Sequence, residues 1–68
     1  MKAGDKVRWH WGSGTANGTV REVHAASVTR KLKGSEITRN GSPEDPAVVI
    51  EQEDGDRVLK LASEVEAA

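Results

Sequence analysis

Two tryptophans alternate with basic side chains near the start of the chain, and this pattern is the one best suited to binding. Arg8, Trp9, His10 and Trp11 are consecutive. An exposed indole beside cations can stack on a nucleobase or anchor a peptide. The alternative is a core role, which we expect for at least one ring because the chain has no Phe and no Tyr. Trp11 lies nearer to the predicted strand end and is the better candidate for exposure.

Cations are concentrated in the first part of the chain. Residues 1–39 carry eight Lys or Arg and three Asp or Glu, a balance of +5, whereas residues 40–68 carry two and eight, a balance of −6. Such asymmetry can indicate a nucleic-acid face. The alternative is that the two halves lie side by side in a small fold and neutralise each other. The densest cluster consists of Arg30, Lys31, Lys33 and Arg39.

No group of side chains predicts catalysis or metal binding. His10 and His24 lack the further ligands that a zinc site needs, and the chain has no Cys. Catalytic carboxylates need a cleft that shifts a pKa, and no nucleophile elbow, phosphate loop or calcium loop is present. The sequence therefore predicts a non-catalytic protein without a metal or cofactor. The acidic residues are interpreted as solvated turn residues: Glu44, Asp45, Glu51, Glu53, Asp54 and Asp56.

The first two predicted strands are separated by a segment rich in Gly and Asn, residues 12–18. Residues 6–11 alternate strictly, which is typical of a half-buried strand. Residues 19–24 are rich in β-branched side chains, but Val20 and Val23 are three positions apart and cannot share a face of a regular strand. A β-bulge between them would restore a common face. A short helix is the competing interpretation.

The middle of the chain gives weaker signals. Residues 27–34 fit a short polar strand or an extended loop, and residues 36–39 could continue it after a turn at Gly34. Residues 40–46 contain both prolines of the chain and predict a loop.

The last hairpin is the clearest local pattern. Two apolar runs, 47–52 and 57–61, flank a predicted two-residue type I′ turn at Asp54-Gly55. A longer loop is the alternative, because the short turn places two acidic residues opposite each other. The short turn pairs Glu53 with Asp56, Ile50 with Leu59, and Val48 with Leu61. The predicted core consists of Val7, Trp9, Val20, Val23, Val48, Ile50, Leu59 and Leu61.

Length and composition predict one small all-β domain. The chain has 68 residues, and its eight Val, two Ile and four Thr favour strands over helices. We expect one domain over residues 1–68, with frayed ends at 1–3 and 66–68, and one helical turn at 62–65 capped by Ser63. No apolar run approaches the roughly 18 residues of a membrane span. The first residues lack the apolar stretch of a signal peptide, so we expect a cytoplasmic protein.

Several short motifs, in order, resemble the hypervirulence-associated Tudor-like family, whose bacterial members are small proteins. The resemblance spans residues 4 to 65 and implies a five-stranded SH3-like, Tudor-type barrel without an established activity. Tudor domains proper read methylated side chains with an aromatic cage. This chain has two Trp as its only aromatic residues, so the resemblance does not imply methyl-lysine recognition. The motifs are Gly4-Asp5-Lys6-Val7-Arg8-Trp9, Gly18-Thr19-Val20 with Val23, Ser42-Pro43-Glu44-Asp45-Pro46, Val49-Ile50 and Ser63-Glu64-Val65.

The sequence therefore predicts a non-catalytic binding module of unknown ligand. The first hypothesis is weak nucleic-acid binding on a basic-aromatic surface, which would lose affinity steeply with salt. The alternative is a protein-interaction module that uses an apolar groove near Trp11 or an exposed strand edge. The predicted binding residues are Trp11, Arg30, Lys31 and Lys33.

Overall fold

The computed structural model describes residues 1–68 and consists of strands and one short 3-10 helix, which confirms the all-β prediction. No helix in it could span a bilayer. The 3-10 helix covers Ala62–Glu64. The strands are β1 (Lys6–Trp11), β2 (Gly14–His24), β3 (Ser27–Leu32), β4 (Ser35–Asn40), β5 (Ala47–Gln52), β6 (Arg57–Leu61) and β7 (Glu66–Ala67).

The strands form two antiparallel sheets. The larger has the order β6-β5-β2-β1-β7, and the smaller is the β3–β4 hairpin. The structure thus has seven strands where five were predicted, and five is the count of the larger sheet alone. Strand pairing does not close the sheets into a barrel, because β6 and β7 are the two edges of the larger sheet and the 3-10 helix joins them.

Strand β5 is buried on both faces and separates two small apolar clusters. Its Val48 and Ile50 face the first cluster, and its Ala47 and Val49 face the second. A strand covered on both sides has no polar alternation, which explains the run Ala-Val-Val-Ile. The first cluster contains Val7, Trp9, Val20, Val48 and Ile50, and the second contains Val28, Ala47, Val49 and Leu59.

The predicted register of the last hairpin is wrong by one residue. The structure pairs Val49 with Leu59 and Ala47 with Leu61. The loop is the longer alternative: the Gly55 N–H donates to the Gln52 carbonyl, and the Gln52 N–H donates to the Asp56 carbonyl. A one-residue shift moves every side chain of β6 to the opposite face.

The single-faced core predicted from the sequence is therefore wrong in part. Leu59 belongs to the second cluster, and Val23 and Leu61 are only partly buried. Val28, Ala47 and Val49 are buried although they were not predicted to be. The prediction assumed one core, whereas the β3–β4 hairpin covers the second face of β5 and β6.

The predicted β-bulge in β2 is confirmed. The register between β2 and β5 shifts between Val20 and Glu22, so Arg21 is the extra residue. Val20 then faces Ile50 and Val23 faces Val48, which brings both valines to the first cluster. No helix forms here.

Two segments differ from expectation near the end of the chain. Residues 66–68 were predicted to be frayed, whereas Glu66–Ala67 pairs with β1 and the Ala68 N–H donates to the Lys6 carbonyl at 3.1 Å. Ser63 was predicted as a helix cap but lies inside the 3-10 helix. The Glu64 carboxylate performs the capping, because it accepts the Leu61 N–H at 2.8 Å.

Candidate interaction surface

The β1–β2 hairpin extends beyond the strands that flank it. Strand β5 pairs with β2 only from Gly18 onward, and β7 pairs with β1 only as far as Arg8. Residues 9–17 therefore form a two-stranded projection, which we call the ribbon tip. Its two-residue turn, Gly12-Ser13, joins Trp11 to Gly14, and Gly12 supplies the positive φ of 54° that this turn needs.

The two tryptophans lie on one face of β1 but have opposite environments. Trp9 lies opposite Ala16 and is 4% exposed in the first cluster. Trp11 lies opposite Gly14, which has no side chain to cover it, and is 68% exposed. The expectation that at least one ring is buried, with Trp11 as the better candidate for exposure, is confirmed. Trp11 is the largest exposed apolar side chain of the molecule.

Both edges of the ribbon tip carry unpaired backbone groups. In an antiparallel strand, alternate residues direct their N–H and C=O to the same edge. The Lys6 carbonyl faces β7, so the groups of Arg8 and His10 face that side too, and His10 lies beyond the end of the pairing. On the other edge, the groups of Thr15 lie beyond Gly18, the first residue of β2 that pairs with β5.

The face of the ribbon opposite Trp11 is basic, with one carboxylate. Arg8 and His10 project there, and their cross-strand partners are the uncharged Asn17 and Thr15. The Glu66 carboxylate of β7 lies 3.3 Å from Arg8 Nε and 3.6 Å from His10 Nε2. All three side chains are more than half exposed, so these contacts are weak.

Two of the three predicted binding cations are held by carboxylates. Arg30 donates from Nη2 to Glu22 Oε1 at 2.8 Å, and His24 Nε2 lies 2.8 Å from the same oxygen. The hydrogen bonds from His24 and then Arg30 lower the pKa of Glu22. Lys33 Nζ lies 2.7 Å from Asp56 Oδ2, and this hydrogen bond raises the pKa of Lys33.

Lys31 is the predicted cation without an ion pair, but it does not lie beside the others. Successive residues of a strand point to opposite faces, and Arg30 shares the inward face of β3 with the buried Val28. Lys31 therefore points away from the second cluster. Trp11 belongs to the other sheet. A single surface of Trp11, Arg30, Lys31 and Lys33 stays a prediction.

The charge asymmetry of the sequence is partly neutralised in the fold. Five of the ten Lys and Arg residues form ion pairs with carboxylates. Four of these pairs join a cation of residues 1–39 to a carboxylate of residues 40–68. These pairs support the alternative in which the two halves lie side by side and neutralise each other. The four pairs are Arg8–Glu66, Arg21–Glu51, Lys33–Asp56 and Arg39–Glu64.

The two histidines and one surface cleft are the remaining polar features. His10 and His24 each face a single carboxylate, and no group of three or more metal-ligating side chains is present. A shallow cleft of about 550 Å³ lies over β1, β2 and the end of β5. Three of its four charged side chains have partners: Arg21 pairs with Glu51, and Lys6 Nζ donates to the Thr19 hydroxyl at 2.8 Å.

The short motifs of the sequence hold the scaffold together. The Gly4 N–H donates to the Val20 carbonyl at 2.7 Å, and the Val20 N–H donates to the Asp5 carbonyl at 2.9 Å. The Asp45 carboxylate accepts both the Ser63 N–H at 2.8 Å and the Ser63 hydroxyl at 2.7 Å. These contacts fasten the start of the chain to β2 and the 40–46 loop to the 3-10 helix. The motifs therefore identify the fold, and Trp11 lies outside them.

Similarity to known proteins is found at the level of the family. No curated protein and no solved structure matches the chain. The profile described as the TUDOR domain of hypervirulence associated proteins matches residues 4–65, which include every scaffold motif described above. The chain therefore belongs to the family of hypervirulence associated proteins TUDOR domains.

Proposed function

We propose that this protein is a non-catalytic binding module that accepts an extended segment of a partner protein at the ribbon tip. The observation that carries the proposal is the 68% exposure of Trp11 beside two unpaired strand edges. Extended segments bind such edges through main-chain hydrogen bonds, and side chains next to the edge give specificity. Large aromatic residues are also the commonest centres of binding energy in protein interfaces.

The internal ion pairs favour a protein partner over a nucleic acid. A phosphate backbone would compete with Glu22 for Arg30 and with Asp56 for Lys33. No competing side-chain contact of this kind exists at the unpaired groups of His10 and Thr15. A peptide strand therefore meets free donors and acceptors at the ribbon tip, whereas a nucleic acid at Arg30 and Lys33 meets cations that already have partners.

An amide NMR titration of the isotope-labelled protein tests the proposal. The probes are a pool of ten-residue unstructured peptides, and mixed-sequence single-stranded and duplex oligonucleotides, at low and moderate salt. We expect the peptides to shift the amides of residues 9–17 with little salt dependence. Trp11→Ala should weaken peptide binding by at least about tenfold, as expected for a central aromatic contact. Trp11→Phe should retain part of the affinity, and Ser13→Ala at the same turn is the matched control.

Two results would contradict the proposal. Salt-sensitive shifts caused only by oligonucleotides, at residues 30–39 and Trp11, would establish the nucleic-acid hypothesis in its place. The absence of any peptide-induced shift in residues 9–17 at millimolar concentration would remove the ribbon tip as a binding site.

A further inference from the structure

Strand β7 covers part of the β1 edge at which we propose that a partner segment binds. It pairs with only two residues of β1, Val7 and Arg8. Its own residues are exposed, and Ala67 brings only a methyl group to the contact. Glu66 is the one β7 side chain that interacts with β1, through Arg8 and His10. Strand β7 is thus bound to this edge in the way a short acidic peptide would be.

The charges around the edge indicate which segment it can take. Arg8 and His10 are the basic side chains of β1 in contact with β7, and Glu66 is their carboxylate partner. If β7 leaves, both basic groups lose that partner. An incoming strand restores the contact only if it carries a carboxylate opposite Arg8. We infer that the edge selects extended acidic segments and that β7 is an internal competitor for them; this inference rests on the proposed function.

The register of β7 places a second requirement on the segment. Glu66 lies opposite Arg8, so a strand continuing in the same register would place its residue three positions earlier opposite Trp11. In this chain the equivalent residue is Ser63, which turns away into the 3-10 helix. Cross-strand pairs of an aromatic and a β-branched residue are favourable. The preferred segment therefore has a β-branched apolar residue three positions before its acidic residue.

Displacement of β7 is physically accessible. Two residue pairs and an exposed ion pair hold it, and exposed ion pairs contribute little to stability. An incoming strand can pair with Arg8 and also with His10, whose backbone groups β7 does not reach. The internal strand has the advantage of a high effective concentration, which reduces the apparent affinity of any external segment.

Titrations with two synthetic peptides test the inference. The probes are acetyl-TVTVEAA-amide, which carries Val three positions before Glu, and its glutamine counterpart acetyl-TVTVQAA-amide. With the wild-type protein at low salt, we expect the glutamate peptide to bind about threefold to fivefold more tightly than the glutamine peptide. The Glu66 and Ala68 amides, which face β1, should move toward their unpaired shifts as β7 is displaced. Glu66→Ala should bind the glutamate peptide about three to ten times more tightly than wild type, whereas the control Glu44→Ala should not.

The possible failures are distinguishable. If both peptides bind equally, in a manner that needs Trp11 but is indifferent to Glu66, the inference falls and the proposed function stands. If the peptides bind while the Glu66 and Ala68 amides stay paired with β1, β7 is not a competitor. If neither peptide shifts residues 9–17 in wild type or Glu66→Ala, the inference and the proposed function fall together.

Discussion

The two hairpins of the chain that end in two-residue turns differ in how they are held. The β3–β4 hairpin buries Val28 against the second cluster, and its Arg30, Lys33 and Arg39 form ion pairs with three other parts of the fold. In the ribbon tip, Trp9 packs in the first cluster, whereas Trp11 and the turn beyond it are exposed to solvent. The comparison shows that the more basic hairpin uses its charges internally, whereas the hairpin with the exposed ring has the groups available for a partner.

The largest expected effect separates the two tryptophans. Trp9→Ala empties the centre of the first cluster and should destabilise the protein by about 3–5 kcal/mol, enough to unfold a small domain. Trp11→Ala should change the free energy of unfolding by no more than about 0.5 kcal/mol. Urea unfolding followed by circular dichroism measures both. A similar loss for the two variants would mean that Trp11 also belongs to the core.

The two glycines of β2 give the next effect. A Cβ at Gly18 would lie 2.5 Å from Ile50 Cγ2 and 2.8 Å from the Glu51 carbonyl oxygen, whereas the nearest atom to a Cβ at Gly14 is 3.9 Å away. Gly18→Ala should therefore cost about 1–3 kcal/mol through overpacking. Gly14→Ala is the matched control and should be nearly neutral. The melting temperatures of the two variants measure this difference. Equal melting temperatures would contradict the close packing of Gly18 against Ile50 and Glu51.

A smaller effect depends on pH and concerns the Glu64 carboxylate, which accepts hydrogen bonds from the Leu61 N–H and from Arg39 of β4. The hydrogen bond from the Leu61 N–H, with a further contribution from Arg39, lowers the pKa of Glu64 below its ordinary value of 4.5. A carboxyl with a lowered folded-state pKa stabilises fully above its unfolded value, and this stabilisation is lost as the pH falls through the folded value. Glu64→Gln should therefore be less stable than wild type at about pH 7, by no more than about 1 kcal/mol after solvent screening.

The pH dependence of that deficit is the measurement. The difference between Glu64→Gln and wild type in urea unfolding should shrink as the pH is lowered below 4.5. Glu44→Gln, at an exposed loop position, is the control and should show no such convergence. A deficit that is constant with pH would show that the carboxylate charge is not what matters at this position.

The smallest effect concerns the ion pair between β3 and β2. Arg30→Gln removes the contact with Glu22, and both side chains are more than one-third exposed. The loss of stability should be under about 1 kcal/mol and should diminish further at high salt. Lys60→Gln, at a cation without an ion pair, is the control. A large loss that salt does not reduce would show that Arg30 acts through packing.

The sequence was sufficient to predict most of the individual strands, but not how the strands are arranged around the two clusters. Alternation predicted β1, and the three-residue spacing of Val20 and Val23 predicted the bulge at Arg21. The turn of the β5–β6 hairpin was not predictable, because Asp54-Gly55 fits both a two-residue turn and the longer loop that forms. That one-residue difference decided which cluster Leu59 joins, and no local pattern shows that a second hairpin will cover β5.

Of the candidate site, the exposure of Trp11 was predictable from the sequence, but the ion pairs of Arg30 and Lys33 and the unpaired strand edges were not. Position at the end of an alternating strand identified Trp11 as the ring nearer to solvent. The partners of Arg30 and Lys33 come from β2 and from the β5–β6 turn, so only the tertiary fold reveals that these cations are engaged. The unpaired edges of the ribbon tip exist because β5 and β7 end before they reach it. The sequence of residues 9–17 gives no information about where those two strands end.

The double burial of β5 has a consequence for how the protein unfolds. Both clusters use this strand as a shared wall, so neither can be dissolved while the other keeps its native packing. Two small cores on separate strands would open independently, whereas here they should melt in one cooperative step. The slowest hydrogen exchange should then be found in β5, at the rate of global unfolding, and much faster exchange at His10 and Thr15, whose backbone groups have no strand partner.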